Sequence, residues 1–207
     1  DVDRAAELVE AALPAMTKER REAQLRRWME ALPDEVYACR PVLANGYVGA
    51  LMSTGETRGV EPRLRLAEEW VEAAQALPPG ESPAGLLAAH AVQWQRLPGW
   101  VRIHRAGLAL MGGDVGATIE HGRAALAVLD PDDNLGFGAA TALMGLASWR
   151  QGDLTTAESA YAETIRRFEL EGYVADILGC TVTLADLQLT MGWLRDAERT
   201  YRSALDL

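Results

Sequence analysis

Cysteine, phenylalanine and histidine are scarce in this sequence: two, two and three residues respectively out of 207. Cys39 and Cys180 stand too far apart for a metal knuckle or a redox pair, and a chain of 22.5 kDa needs no disulfide to hold its core. A reducing, cytoplasmic setting is the plainer expectation. His90, His104 and His121 lack the one-turn spacing of a helical zinc site, so no metal is expected. Basic charge is also short. Twenty Lys+Arg against thirty Asp+Glu leave a formal charge of -10, which argues against direct contact with nucleic acid. No apolar run approaches the roughly 20 residues that span a bilayer, so no membrane contact is expected. The first residues, DVDRAAELVE, lack the basic start and uniform apolar stretch of a secretory leader. Aspartate in place of methionine at position 1 predicts a piece of a longer protein.

Nucleophiles and acid–base groups are no better assembled. Cys39 lies beside Arg40 but has no assigned base or oxyanion site, and Cys180 sits in the apolar stretch GCTVTLA. Glu68-Glu69, Asp132-Asp133 and the charges near Glu169 and Glu171 read as helix-face or cap groups, because adjacent helical residues point apart. Met111-Gly112-Gly113-Asp114 has neither the spacing nor the lysine of a phosphate loop. No catalytic residue is assigned, and no enzymatic activity is expected.

What the sequence does contain is helical apolar spacing throughout, with no sustained period-two alternation. Ala5, Leu8, Val9, Ala12 and Leu13 form a first stripe, and Leu25, Trp28, Met29 and Leu32 a second, with the charged TKERRE between them as a solvated turn. Turn glycines then recur. LALMGGD, LASWRQGD and LADLQLTMGW align on Gly113, Gly152 and Gly192, spaced 39 and 40 residues apart, and Gly55 ends the earlier ALMSTG. Around these glycines small residues keep register: Ala106, Gly145 and Ala185 seven before, then Thr118, Ala157 and Ala197 five after. Gly122, Tyr161 and Tyr201 follow nine after, and Ala125, Thr164 and Ala204 twelve after. Small side chains let antiparallel helices approach closely, and a turn glycine releases each helix through a left-handed conformation.

The expected fold is all-α, a right-handed superhelix of antiparallel helix hairpins, tetratricopeptide-like with a repeat near 39–40 residues. Residues 1–207 are read as a single helical-repeat domain. Its parts are an amino-terminal helical pair over 1–40, repeat one over 41–80, an extra helix over 81–99, repeat two over 100–134, repeat three over 135–172 and repeat four over 173–207. In this reading Pro78, Pro79 and Gly80 close repeat one, and Ser82 and Pro83 start the extra helix, which Pro98 and Gly99 break or kink. The sequence ends inside the second helix of repeat four, which predicts truncation.

Five segments carry a resemblance: RAAELVEAALPAM (4–16), LRRWMEALPDEVYACRPVLANGYVGALMSTG (25–55), HGRAALAVLDPDD (121–133), LMGLASWRQGDLTTAESAYAETI (143–165) and LADLQLTMGWLRDAERTYRSAL (184–205). In order and spacing they resemble the helical-repeat sensor region of MalT-like, LuxR-family large ATP-binding transcription regulators. The resemblance implies a signal-responsive ATPase before this segment and a DNA-reading helix-turn-helix after it. ATP is then expected of a missing domain of the parent and no cofactor of this segment. The implied role is a sensor that binds an effector or partner and relays the event to adjacent domains. A standalone protein-binding scaffold is the alternative.

Placing the first helix of each repeat on the inner curve nominates Asn45, Trp100, Trp149, Arg150, Thr183, Asp186 and Thr190 as a concave groove for a small effector or a protein segment. Trp149 can equally pack between repeats, with Arg150 reaching to water. Self-association through an exposed terminal repeat is a further partner consistent with the pattern.

Overall fold

The computed structural model describes residues 1–78, 81–89 and 91–207. Pro79, Gly80 and His90, named above as a turn and as a histidine without metal spacing, lie outside the described residues. The chain is all-α, and it packs as two compact units, Asp1–His104 and Arg105–Leu207, where a single domain was expected.

The first unit contains α1 (Val2–Lys18), α2 (Glu22–Glu30), a 3₁₀ helix (Asp34–Cys39), α3 (Pro41–Ser53), α4 (Val60–Gln75) and the start of α5 (Ala91–Met111). Proline at the first position of α3 costs no hydrogen bond, because that N–H has no partner within a helix anyway. Helix α3 is the hub: Val42, Leu43, Tyr47, Val48 and Leu51 are all buried, and α1, α2 and α4 pack around it. The charged stretch between α1 and α2 turns at Arg20, whose φ of 54° ends α1.

Two sequence expectations fail in this unit. The α1 stripe is rotated: the buried face is Ala6, Glu10, Leu13 and Met16, while Ala5 and Leu8 face water. A carboxylate can occupy that face because it is paired. Glu10 Oε1 accepts a hydrogen bond from the Ala89 amide at 2.6 Å, and Glu10 Oε2 lies 3.7 Å from the buried Arg40 guanidinium.

The separate helix expected over 81–99 does not form either. The Leu87 amide donates to the Cys39 carbonyl at 2.8 Å and the Ala89 amide to Glu10, so neither is available for a helical bond. The helical part of this stretch belongs to α5, which runs on through Pro98 and Gly99. An interior proline costs about 3 kcal/mol. Burying Leu97, Val101 and Ile103 beside it offsets that at roughly 1.5–3 kcal/mol each.

The second unit contains the end of α5, then α6 (Val115–Leu126), α7 (Asn134–Arg150), α8 (Leu154–Glu171), α9 (Val174–Thr190) and α10 (Leu194–Leu205). From α6 onward each helix packs on the next. The small residues in register are buried in this unit. Ala106, Ala185, Thr118, Ala157, Ala125 and Thr164 have no exposed surface, Gly145, Gly122 and Ala197 are also buried, and Tyr161 fills the space beside them.

Gly55, Gly113, Gly152 and Gly192 all take left-handed φ, at 75°, 81°, 82° and 78°. At Gly152 a Cβ would meet nothing within 4 Å, so conformation rather than space calls for glycine there. The turns share one bond pattern: the residue after the glycine donates its N–H to a carbonyl five residues back. Asp114 reaches Ala109, Asp153 reaches Ser148 and Trp193 reaches Gln188, at 2.9, 3.0 and 2.8 Å. Asp114 and Asp153 then cap the next helix, accepting from Ala117 and Thr156 N–H, and the hydrogen bond to Thr156 holds the Asp153 carboxyl below its usual range. Trp193 supplies no such cap.

Candidate functional site

The nominated residues fall into both units, Asn45 and Trp100 in the first and the other five in the second.

Asn45 is a correction. It lies in the interior of the first unit, with its Oδ1 2.8 Å from His104 Nδ1. The neighbouring rings of Trp100 and His104 have centroids 6.0 Å apart. Residues 45 and 49 are one turn apart on α3, and the imidazole faces both. A Cβ added at Gly49 would sit 3.2 Å from His104 Nε2. Asn45 is thus turned inward onto a packed histidine rather than outward onto an open groove.

Burial pushes the His104 pKa down to about 4, since taking the imidazole out of water penalises its charged form. The unfolded chain takes up that proton near the ordinary value of 6.5, so below it the unfolded state binds more protons than the folded one. Stability from this group is complete above pH 6.5, falls as pH drops toward 4, and changes no further below that. The expected full loss is about 3 kcal/mol. Thermal melts from pH 7 to 4 should show a slope for the native protein that His104→Gln removes; parallel curves would refute the assignment.

In the second unit, Trp149 packs against the core formed by Ala157, Tyr161, Leu184 and Leu187. Arg150, next to it at the end of α7, donates from Nη1 to the Leu110 carbonyl at 2.6 Å. That carbonyl also accepts from the Gly113 amide at 3.1 Å, so Arg150 reinforces the end of α5. Arg150→Ala is expected to lower stability by about 1 kcal/mol, measured by urea unfolding. Arg150→Lys should restore only part of it, because a flexible ammonium does not reproduce the planar fork.

Asp186 is exposed and accepts a hydrogen bond from the Tyr201 hydroxyl, which raises the Tyr201 pKa. Thr183 and Thr190 donate back to the Gly179 and Asp186 carbonyls of their own helix. The structure thus ties Trp149 and Arg150 to packing and capping. Asp186 and Thr190 remain together at the exposed end of α9.

Among the described residues no group of His, Cys, Asp and Glu is placed to hold a metal ion, and no helix is long and apolar enough to cross a membrane. Cys39 and Cys180 are partly buried.

Residues 99–207 match the sequence profile of a family described as the MalT-like TPR region. No curated protein and no solved structure matched the chain.

Proposed function

The chain belongs to the MalT-like TPR region family, and on that premise we propose that it is the non-catalytic regulatory segment of a cytoplasmic, multidomain transcription regulator. In this reading it binds an effector or a protein segment and passes the event to ATPase and DNA-binding domains carried elsewhere in the parent. ATP belongs to those domains. The observation that carries the reading is the recurring hairpin of the second unit, with the same turn bond after Gly113, Gly152 and Gly192. Repeats of this kind generally mediate protein contacts and are generally non-catalytic. Stacked hairpins can relay a signal only if the bound molecule prefers one of two arrangements of the stack.

The full reading frame is the first test. It is expected to encode a phosphate-loop ATPase before this segment and a helix-turn-helix after it. In that protein, deletion of residues 105–207 should abolish effector-dependent transcription from a reporter. A frame lacking both domains would overturn the regulator reading in favour of a standalone protein-binding scaffold. One observation favours that second reading: Asn45, Arg150 and Asp186 all engage their polar groups within the fold.

A further inference from the structure

Residues 81–89 are non-helical, none of them is fully buried, and Leu87 is 42% exposed. A turn forms at Pro83–Leu86: the Leu86 amide donates to the Pro83 carbonyl at 3.2 Å, and Gly85 takes a φ of 82° at the third position. Two further bonds reach remote parts of the first unit. The Leu87 amide donates to the Cys39 carbonyl at 2.8 Å, and the Ala89 amide to Glu10 Oε1 at 2.6 Å.

The second of these bonds ends on the Glu10–Arg40 pair. Glu10 has no exposed surface and Arg40 is 7% exposed, yet the two charges stand 3.7 Å apart. A charge-assisted hydrogen bond would bring them to about 2.7–2.9 Å. Arg40 Nε, also out of water, has no hydrogen-bond partner among the described residues. The closed arrangement thus keeps one N–H of a buried guanidinium without an acceptor, and entry of water would relieve it. Little opposes that entry. Apolar burial along 81–89 is small, so the two remote hydrogen bonds carry most of the attachment.

We propose that residues 81–89 are a strap that opens as a unit while α1–α4 stay folded, releasing both remote hydrogen bonds together and letting water reach Glu10 and Arg40. Closed and open states differ little in buried apolar surface, so small changes in the strap or in the charge pair move the balance between them. The strap is a two-state element within the first unit. It rests on the packing of that unit alone, and it holds or fails independently of the regulator reading.

The test is amide hydrogen exchange of the full 207-residue chain, read residue by residue by NMR. Leu87 and Ala89 should share one opening equilibrium, roughly 100-fold or more further open than that of Val48 in the α3 core, and insensitive to low urea because a strap exposes little new surface. Glu10→Gln keeps an acceptor for Ala89 but leaves Arg40 without its counter-charge. It should raise exchange about tenfold, relative to Val48, at Leu87 as well as at Ala89. Gly85→Ala removes no contact: a Cβ there meets nothing within 4 Å, and the left-handed φ alone strains the closed turn. It should speed both amides by a common factor of about five and leave Val48 unchanged. Leu87 and Ala89 exchanging no faster than Val48 would overturn the proposal. So would a response of one amide without the other in either variant.

Discussion

Glu10→Ala is expected to destabilise the first unit by about 3–5 kcal/mol, the range for breaking one side of a buried ion pair. Glu10 has no exposed surface and Arg40 only 7%. Removing the carboxylate leaves a guanidinium in the interior without its counter-charge and takes the acceptor from the Ala89 amide. Glu10→Gln should cost less, because an amide oxygen can still accept from Ala89. Replacing both partners with methionine should recover much of the loss, since two apolar side chains need no pairing. Urea unfolding gives the size of the effect. Hydrogen exchange at Ala89 gives its location, with protection lost in Glu10→Ala before the rest of the unit opens. A cost below 1 kcal/mol for Glu10→Ala would show that the pair does not carry this packing.

Gly138→Ala is the second large effect, and here the sign runs against helix propensity. Alanine in a helix interior is about 1 kcal/mol better than glycine. The added Cβ, however, would stand 2.3 Å from the edge of the Phe168 ring, which is only 4% exposed and has little room to move. Thr164 also donates to the Gly138 carbonyl at 3.2 Å, so a shift of α7 away from α8 would stretch that bond. The net expectation is a loss of about 2–3 kcal/mol, in the upper range for overpacking. Gly122→Ala is the contrast. Its Cβ would meet Met144 Cγ at 2.5 Å and Sδ at 2.9 Å, but a thioether chain can change rotamer, so the net change should stay within about 1 kcal/mol of zero. Thermal unfolding of the two variants side by side separates ring from thioether. Gly138→Ala combined with Phe168→Leu should recover part of the loss, because the smaller side chain vacates the ring edge. Equal melting temperatures for Gly138→Ala and the native protein would refute the close approach of α7 and α8.

Both effects bear on how the hairpins stay in register. Gly138 and Gly145 lie two turns apart on α7 and face Phe168 and Tyr161 of α8. Small residues on one helix receive rings from the other, which fixes the spacing that the next hairpin must match.

The exposed apolar face of α9 and α10 was already legible as a repeat alignment, since Leu189 and Leu194 stand where Trp149 and Leu154 stand one repeat earlier. Coverage depends on whether another helix follows in space, and it is α9 that covers the first copy.

What the sequence by itself determined was everything set by a local, repeated constraint. A left-handed turn needs glycine, and a close helix pair needs alanine, glycine or threonine at fixed offsets, so Gly152, Ala157 and Thr164 announce their places within one hairpin. Tertiary structure alone decided the first unit's exceptions. Apolar count favoured Ala5 and Leu8 for the buried face of α1, yet Glu10 is inside because Arg40, thirty positions on, and the Ala89 amide, 79 positions on, converge on its carboxylate. Asn45 reads as a groove residue until His104 is brought against it from α5. Pro98 reads as a break or a kink, and the break is avoided because burial of Leu97, Val101 and Ile103 outweighs one missing hydrogen bond. A charge or a polar group can be buried only where its partner arrives, and that arrival is a property of the assembled chain.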